Sequence, residues 1–157
     1  MLRALLLVFL RDHSACLWRA AGITGPTHVA VVPTARGRPG PHPLRELIDD
    51  YLALPRADLS ARQCGLQVRD LDPERFSARP LPTARVLLLD DTWTTGSSAQ
   101  SAAIALRRAA ASSVVTVVLG RHVGRADAAA AGVDPAAMPF RPGSCAVHDD
   151  AAAHRRP

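Results

Sequence analysis

The stretch Val86-Leu87-Leu88-Leu89-Asp90-Asp91-Thr92-Trp93-Thr94-Thr95-Gly96-Ser97-Ser98 narrows the fold more than any other part of the chain. Arg85 to Asp91 reads as a strand, and its four apolar residues show no alternation. Such a strand needs cover on both faces, as inside a parallel sheet. Parallel neighbours cannot be joined by a tight turn, so a crossover must follow. Thr94 to Ser98 is a hydroxyl- and glycine-rich turn, and Ala99 to Ala110 reads as a helix with Ala102, Ala103, Leu106 and Ala110 on its small-residue face. Val114 to Leu119 is the next buried strand. Strand, helix and strand form a βαβ unit, expected to be right-handed.

The remaining segments are arranged around that unit. Leu2, Leu5, Leu6, Phe9, Cys16, Leu17 and Ala20 recur at helical spacing, which predicts an amphipathic helix over residues 2–21, ending near Gly22. Met1-Leu2-Arg3 and the apolar Ala4 to Leu10 resemble the head of an export signal, but the run is short and Arg11-Asp12-His13 follows at once, so a core helix is the reading. Thr27 to Val32 is a short buried strand. It enters a Gly- and Pro-rich loop, Pro33 to Pro41, that carries Arg36 and Arg38. Pro43 opens a second helix, with Leu44, Leu47, Ile48, Tyr51 and Leu52 as its apolar stripe. Residues 56–84 show no clear period and carry scattered arginines. They are predicted to be a mobile or loosely packed excursion, with a short strand at Gln67-Val68-Arg69 and Phe76 as the anchor. Residues 126–138 suggest one more short helix. With no repeat or linker, residues 1–147 are expected to be one domain and 148–157 a disordered tail.

Composition bounds the partners. At 157 residues the chain can bury a core without disulfide or metal. Its net charge is +5, and all 19 of its Lys and Arg residues are Arg. A GC-rich coding sequence accounts for part of that; a phosphate-bearing partner is the functional reading. Nucleic acid has no motif in its favour, because no stretch is densely basic and aromatics make up 4 %. Three cysteines imply no disulfide framework and fit a reducing, cytoplasmic setting. No apolar run reaches the ~18–20 residues that cross a bilayer. Cys145 and His148 form a C-x-x-H pair with His154 nearby, but ligands on a tail do not close a zinc site, so ordinary packing and exposure is the reading. Cys16 reads as a core residue of the first helix, and His42 as an exposed loop residue.

The chemistry gathers at the end of the central strand. Asp90 and Asp91 stand at the carboxyl edge of the sheet, where α/β proteins bind ligands. The turn after them leads into a helix N-terminus, whose free N–H groups and dipole favour an anion. Thr94, Thr95, Ser97 and Ser98 add hydroxyls, and Gly96 permits close backbone approach. Carboxylates beside a phosphate must bind something else, either sugar hydroxyls or Mg²⁺. A phosphorylated sugar meets both requirements.

Residues 86–98 resemble the phosphoribosyl-diphosphate (PRPP) motif of type I phosphoribosyltransferases: apolar residues, an acidic pair, two variable residues, then Thr-Thr-Gly-x-Thr/Ser. The closest likeness is to the competence-associated, ComF-like group, which also has an Arg-rich pyrophosphate loop and a Phe-containing stretch before the acidic pair, here Arg75-Phe76. The resemblance spans roughly residues 27–121 and is specific at 86–98. It implies a three-layer α/β fold, with a mostly parallel central sheet and helices on both faces. It implies that Asp90 and Asp91 contact the ribose hydroxyls and, indirectly, the Mg²⁺ that travels with PRPP. Thr94, Thr95, Gly96, Ser97 and Ser98 would hold the 5-phosphate, Arg36 and Arg38 the diphosphate, and Trp93 would face the acceptor.

The implied reaction transfers phosphoribose to an unidentified nitrogenous acceptor with release of pyrophosphate, through an oxocarbenium-like C1 and with inversion. No general base is nominated. The alternative is a non-catalytic sensor of PRPP or a nucleotide, or a competence factor of DNA uptake, on the same fold. A homodimer is compatible with either reading. The chain departs from the family in its abrupt helical start, where relatives carry further N-terminal sequence, in having Thr94 where some purine-base enzymes have an Asp, and in lacking Lys.

Overall fold

The computed structural model of the chain describes residues 2–34, 42–62, 70–122, 124 and 145. The chain divides into two compact units, Gly25–Arg121 and a second built from Met1–Thr24 with His122–Pro157. In chain order the elements are α1 (Leu2–Ala20), β1 (His28–Val31), α2 (Pro43–Tyr51), β2 (Leu59–Ala61), β3 (Phe76–Ala78), β4 (Arg85–Trp93), α3 (Ser97–Arg108) and β5 (Ser113–Arg121). The fold is mixed α/β.

In Gly25–Arg121, three parallel strands lie in the order β1-β4-β5. The central strand is β4, as its apolar run requires. Val86, Leu87, Leu88 and Leu89 are each no more than 1 % exposed, so both faces are covered. Burying a side chain of this size stabilises by roughly 1.5–3 kcal/mol. Ala30 and Val32 join Val86 and Leu88, with Ala102, Ala105 and Leu106 of α3, in one core. Two residues beyond the predicted strand, Thr92 and Trp93, pair with Gly120 and Arg121, which carries β4 past its acidic pair.

α3 starts at Ser97, two residues before the predicted helix, and ends at Arg108. Ala110, expected on its small-residue face, lies beyond the helix at φ +69 and is exposed. Its N–H donates to the Arg107 carbonyl (3.0 Å), and the Ala111 N–H donates to the Leu106 carbonyl (3.2 Å). These two bonds make a Schellman closure, with alanine in the position usually given to glycine.

The segment before β4 differs from its predicted loose packing. β2 and β3 form an antiparallel pair, with Leu59 facing Ala78 and Ala61 facing Phe76. Leu59 and Phe76 are buried in the same core as α3. Three-residue strands leave no periodic signature, and their stability comes from this contact across the chain. In α2, Leu44 and Ile48 are buried, whereas Tyr51, the helix's last residue, is 59 % exposed.

In the second unit, α1 forms over the predicted span, with Leu6 and Cys16 buried. Among the described residues no helix is long and apolar enough to cross a membrane. Gln67-Val68-Arg69, residues 126–138 and residues 148–157 lie outside the described residues.

Candidate functional site

β4 carries the acidic pair shortly before its end at Trp93, and a turn then leads into α3. Asp90 is 9 % exposed and lies opposite Val118, whereas Asp91 is half-buried. Burial, and then the charge of Asp91, raise the Asp90 pKa to about 6, against the opposing pull of the Asp91 and Thr92 backbone N–H groups. The pair is therefore a strained concentration of negative charge. A hydroxyl donor or a cation would relieve it.

Gly96 is the N-cap of α3 and sits in the left-handed region at φ +79, ψ −3. It has no side chain with which to cap the helix, so the first-turn N–H groups face the turn. The Ser97 N–H reaches back to Thr95 Oγ1 at 3.4 Å, and the Thr95 hydroxyl donates to Ser97 Oγ at 3.1 Å. Thr94 and Thr95 are exposed, Ser98 is half-buried, and Ser97 is buried within the loop's own bonding. Exposed hydroxyls and a helix N-terminus thus border one turn, next to Asp90. That combination suits an anion held beside a polyol.

Trp93 is half-buried, and its indole lies over Gly96. Its other surroundings form a shallow groove of about 330 Å³, lined by Trp93, Val118, Gly120 and Arg121. The residue is thus not a core aromatic. It bridges the turn before α3 and an open groove that can receive a flat group.

Arg75 is the residue that sequence reasoning did not place in the site. It is 6 % exposed, and its guanidinium donates to Ser98 Oγ (3.2 Å), Ser97 Oγ (3.4 Å) and the Asp70 carbonyl. Nearby, Ser101 Oγ accepts the Asp72 N–H at 3.0 Å. The segment leading into β3 therefore braces the first turns of α3 from beneath. The available signal was Arg75 beside Phe76: a buried anchor carries its neighbour into the core.

Val32, just past β1, donates its N–H to the Leu89 carbonyl at 2.9 Å, so the chain leaves β1 alongside the end of β4. Arg36 and Arg38, expected on the loop that follows, lie outside the described residues. A separate cavity of about 340 Å³ lies by α2, β1 and the β2–β3 pair, with Arg45, Arg56 and Arg79 in its lining. These three side chains are exposed, and Arg79 is 3.5 Å from Asp58. Among the described residues its wall offers no strand-end carboxylate pair.

No family model matches the chain, and no curated protein matches it.

Proposed function

We propose that the chain binds PRPP at the β4–α3 turn and transfers its phosphoribose to a nitrogenous acceptor, on a three-layer type I phosphoribosyltransferase architecture. The observation that carries this reading is the junction itself: a buried carboxylate near the end of β4, Asp90, is followed by a left-handed glycine that opens α3. The first half of the turn suits ribose hydroxyls and the second half suits the 5-phosphate. The bonds that link Arg75 to Ser97 and Ser98 support it, because a phosphate loop must be held rigid to select its anion.

In this reading Asp90 and Asp91 accept hydrogen bonds from the ribose hydroxyls and so orient C1. Thr94, Thr95, Ser98 and the N–H groups at the start of α3 hold the 5-phosphate. Arg36 and Arg38 are assigned to the diphosphate, since a guanidinium fork matches phosphate oxygens. The bond from C1 to the diphosphate oxygen breaks with its electron pair on pyrophosphate, and a bond from C1 to the acceptor nitrogen forms. The acceptor lies against Trp93. The oxygen donors of Asp90 and Asp91 suit a hard cation such as Mg²⁺, met through water or through the ribose. When bound, Mg²⁺ supplies neutralisation of the diphosphate charge.

Calorimetric titration of PRPP, with and without Mg²⁺, tests the reading on the wild type and on the Asp90→Asn/Asp91→Asn variant. Micromolar, Mg²⁺-dependent binding that the variant loses is expected. No binding at millimolar PRPP would overturn it. Pyrophosphate release with a panel of nitrogen nucleophiles then separates a transferase from a sensor of PRPP.

A further inference from the structure

In the unit built from Met1–Thr24 and His122–Pro157, His13 and Cys16 stand about one turn apart on α1, and Cys145 comes up beside them. One imidazole nitrogen and the two sulfurs all lie within 4.8 Å of one another. Cys16 is 5 % exposed, and His13 and Cys145 are half-buried. We propose that His13, Cys16 and Cys145 bind a zinc ion that ties Cys145 to α1. The proposal is independent of the reading of the β4–α3 turn.

The donor set selects the metal. Thiolate and imidazole are soft or borderline ligands that favour zinc over Mg²⁺ or Ca²⁺. Zinc holds sulfur at about 2.3 Å and imidazole nitrogen at about 2.0–2.1 Å, which places tetrahedral ligand atoms roughly 3.5–3.8 Å apart. From a spread of 4.8 Å, closure needs side-chain movements on the order of 1 Å. The i, i+3 spacing of His13 and Cys16 puts both on one face of α1, so the helix presents two donors in fixed relation.

Charge balance agrees. On metal binding the two S–H groups release their protons to solvent, and the two thiolates cancel the charge of the ion. The half-buried site then carries no net charge. Water or a further side chain takes the fourth position. Packing alone explains a buried cysteine on a helix. It does not explain why a second cysteine, remote in sequence, meets both that cysteine and a histidine.

The test uses the full chain, purified without chelators, with metal content measured by mass spectrometry and Co²⁺ used as a spectroscopic probe. The expected result is one ion per chain and a thiolate-to-Co²⁺ charge-transfer band. Cys145→Ser and His13→Ala are expected to weaken zinc by no less than the roughly 10–100-fold that loss of an outer-shell partner costs. Cys64→Ser should leave stoichiometry and band intact. Circular dichroism confirms that each variant is folded; Cys145 is half-buried, so its serine variant disturbs the core less than one at Cys16. Chelation should lower the Tm of the wild type and leave that of Cys145→Ser unmoved. Three results would each overturn the proposal: no stoichiometric metal, equal zinc affinity in a folded Cys145→Ser variant, or a Cys16–Cys145 disulfide in freshly purified protein.

Discussion

The indole of Trp93 lies so close over Gly96 that a Cβ built on Gly96 would stand 2.1 Å from Trp93 Cζ2 and 2.5 Å from Cε2. Glycine is therefore required twice at this position, by the ring and by a backbone at φ +79. Gly96→Ala is expected to lower stability in urea by about 2–5 kcal/mol. Roughly 1–2 kcal/mol of this is left-handed strain, and about 1–3 kcal/mol is overpacking. Adding Trp93→Ala should return the packing part and leave the strain. An equal loss from Gly96→Ala in both backgrounds would show that the ring is not the obstacle.

Asp90 sets a pH dependence with a definite sign. Its pKa is about 6 in the fold, against 3.8 for an unperturbed Asp, so the native state holds the proton more tightly than the unfolded chain does. Its contribution is most favourable below the unfolded value and is lost as pH rises through the folded one. The loss amounts to about 1–3 kcal/mol after solvent screening at the strand end. Asp90→Asn should therefore be more stable than wild type at neutral pH, and urea midpoints should vary less with pH between about 4 and 6. A less stable Asn variant at neutral pH would remove this explanation. PRPP affinity should rise through the same pH window, because only the carboxylate accepts from both ribose hydroxyls.

Arg75 is expected to act as a positioning residue. Arg75→Met keeps much of the volume but removes the guanidinium's bonds to Ser97, Ser98 and the Asp70 carbonyl, which should destabilise by about 2–3 kcal/mol. A loosened loop should also weaken PRPP by roughly 10- to 100-fold. Arg75→Lys should recover stability better than affinity, because an ammonium cannot span both serines. Calorimetry alongside urea unfolding separates the two effects. Unchanged affinity in a destabilised Arg75→Met variant would show that the loop holds its shape without the guanidinium.

Ala110 carries a cost that glycine would remove. At φ +69 its Cβ is strained, while the Schellman bonds around it require only the backbone. Ala110→Gly should raise stability by about 0.5–1 kcal/mol, read as a shift in thermal midpoint. A drop would mean that the alanine methyl contributes packing greater than its strain.

The legibility of the chain followed the strength of local signals. The Val86–Leu89 run announced a covered central strand because no other environment suits it, and the acidic pair and turn followed in sequence order. α1 was legible from its helical period alone. β2 and β3 were not, because three residues carry no period and Leu59 and Phe76 are buried in a core that β1, β4 and α3 share. Arg75 was missed for the same reason: its serine partners are 22 and 23 residues away. The meeting of His13, Cys16 and Cys145 lay beyond sequence reasoning, which kept Cys16 in a helix and Cys145 on a tail.

The most direct test is a ¹H–¹⁵N correlation spectrum of the labelled chain, titrated with PRPP and Mg²⁺. The expected result is saturable shifts at the amides from Asp91 to Ala99, largest at Gly96, together with the Trp93 indole N–H. Shifts confined to the cavity around Arg45, Arg56 and Arg79, with Gly96 unmoved, would contradict a phosphoribose site at the β4–α3 turn.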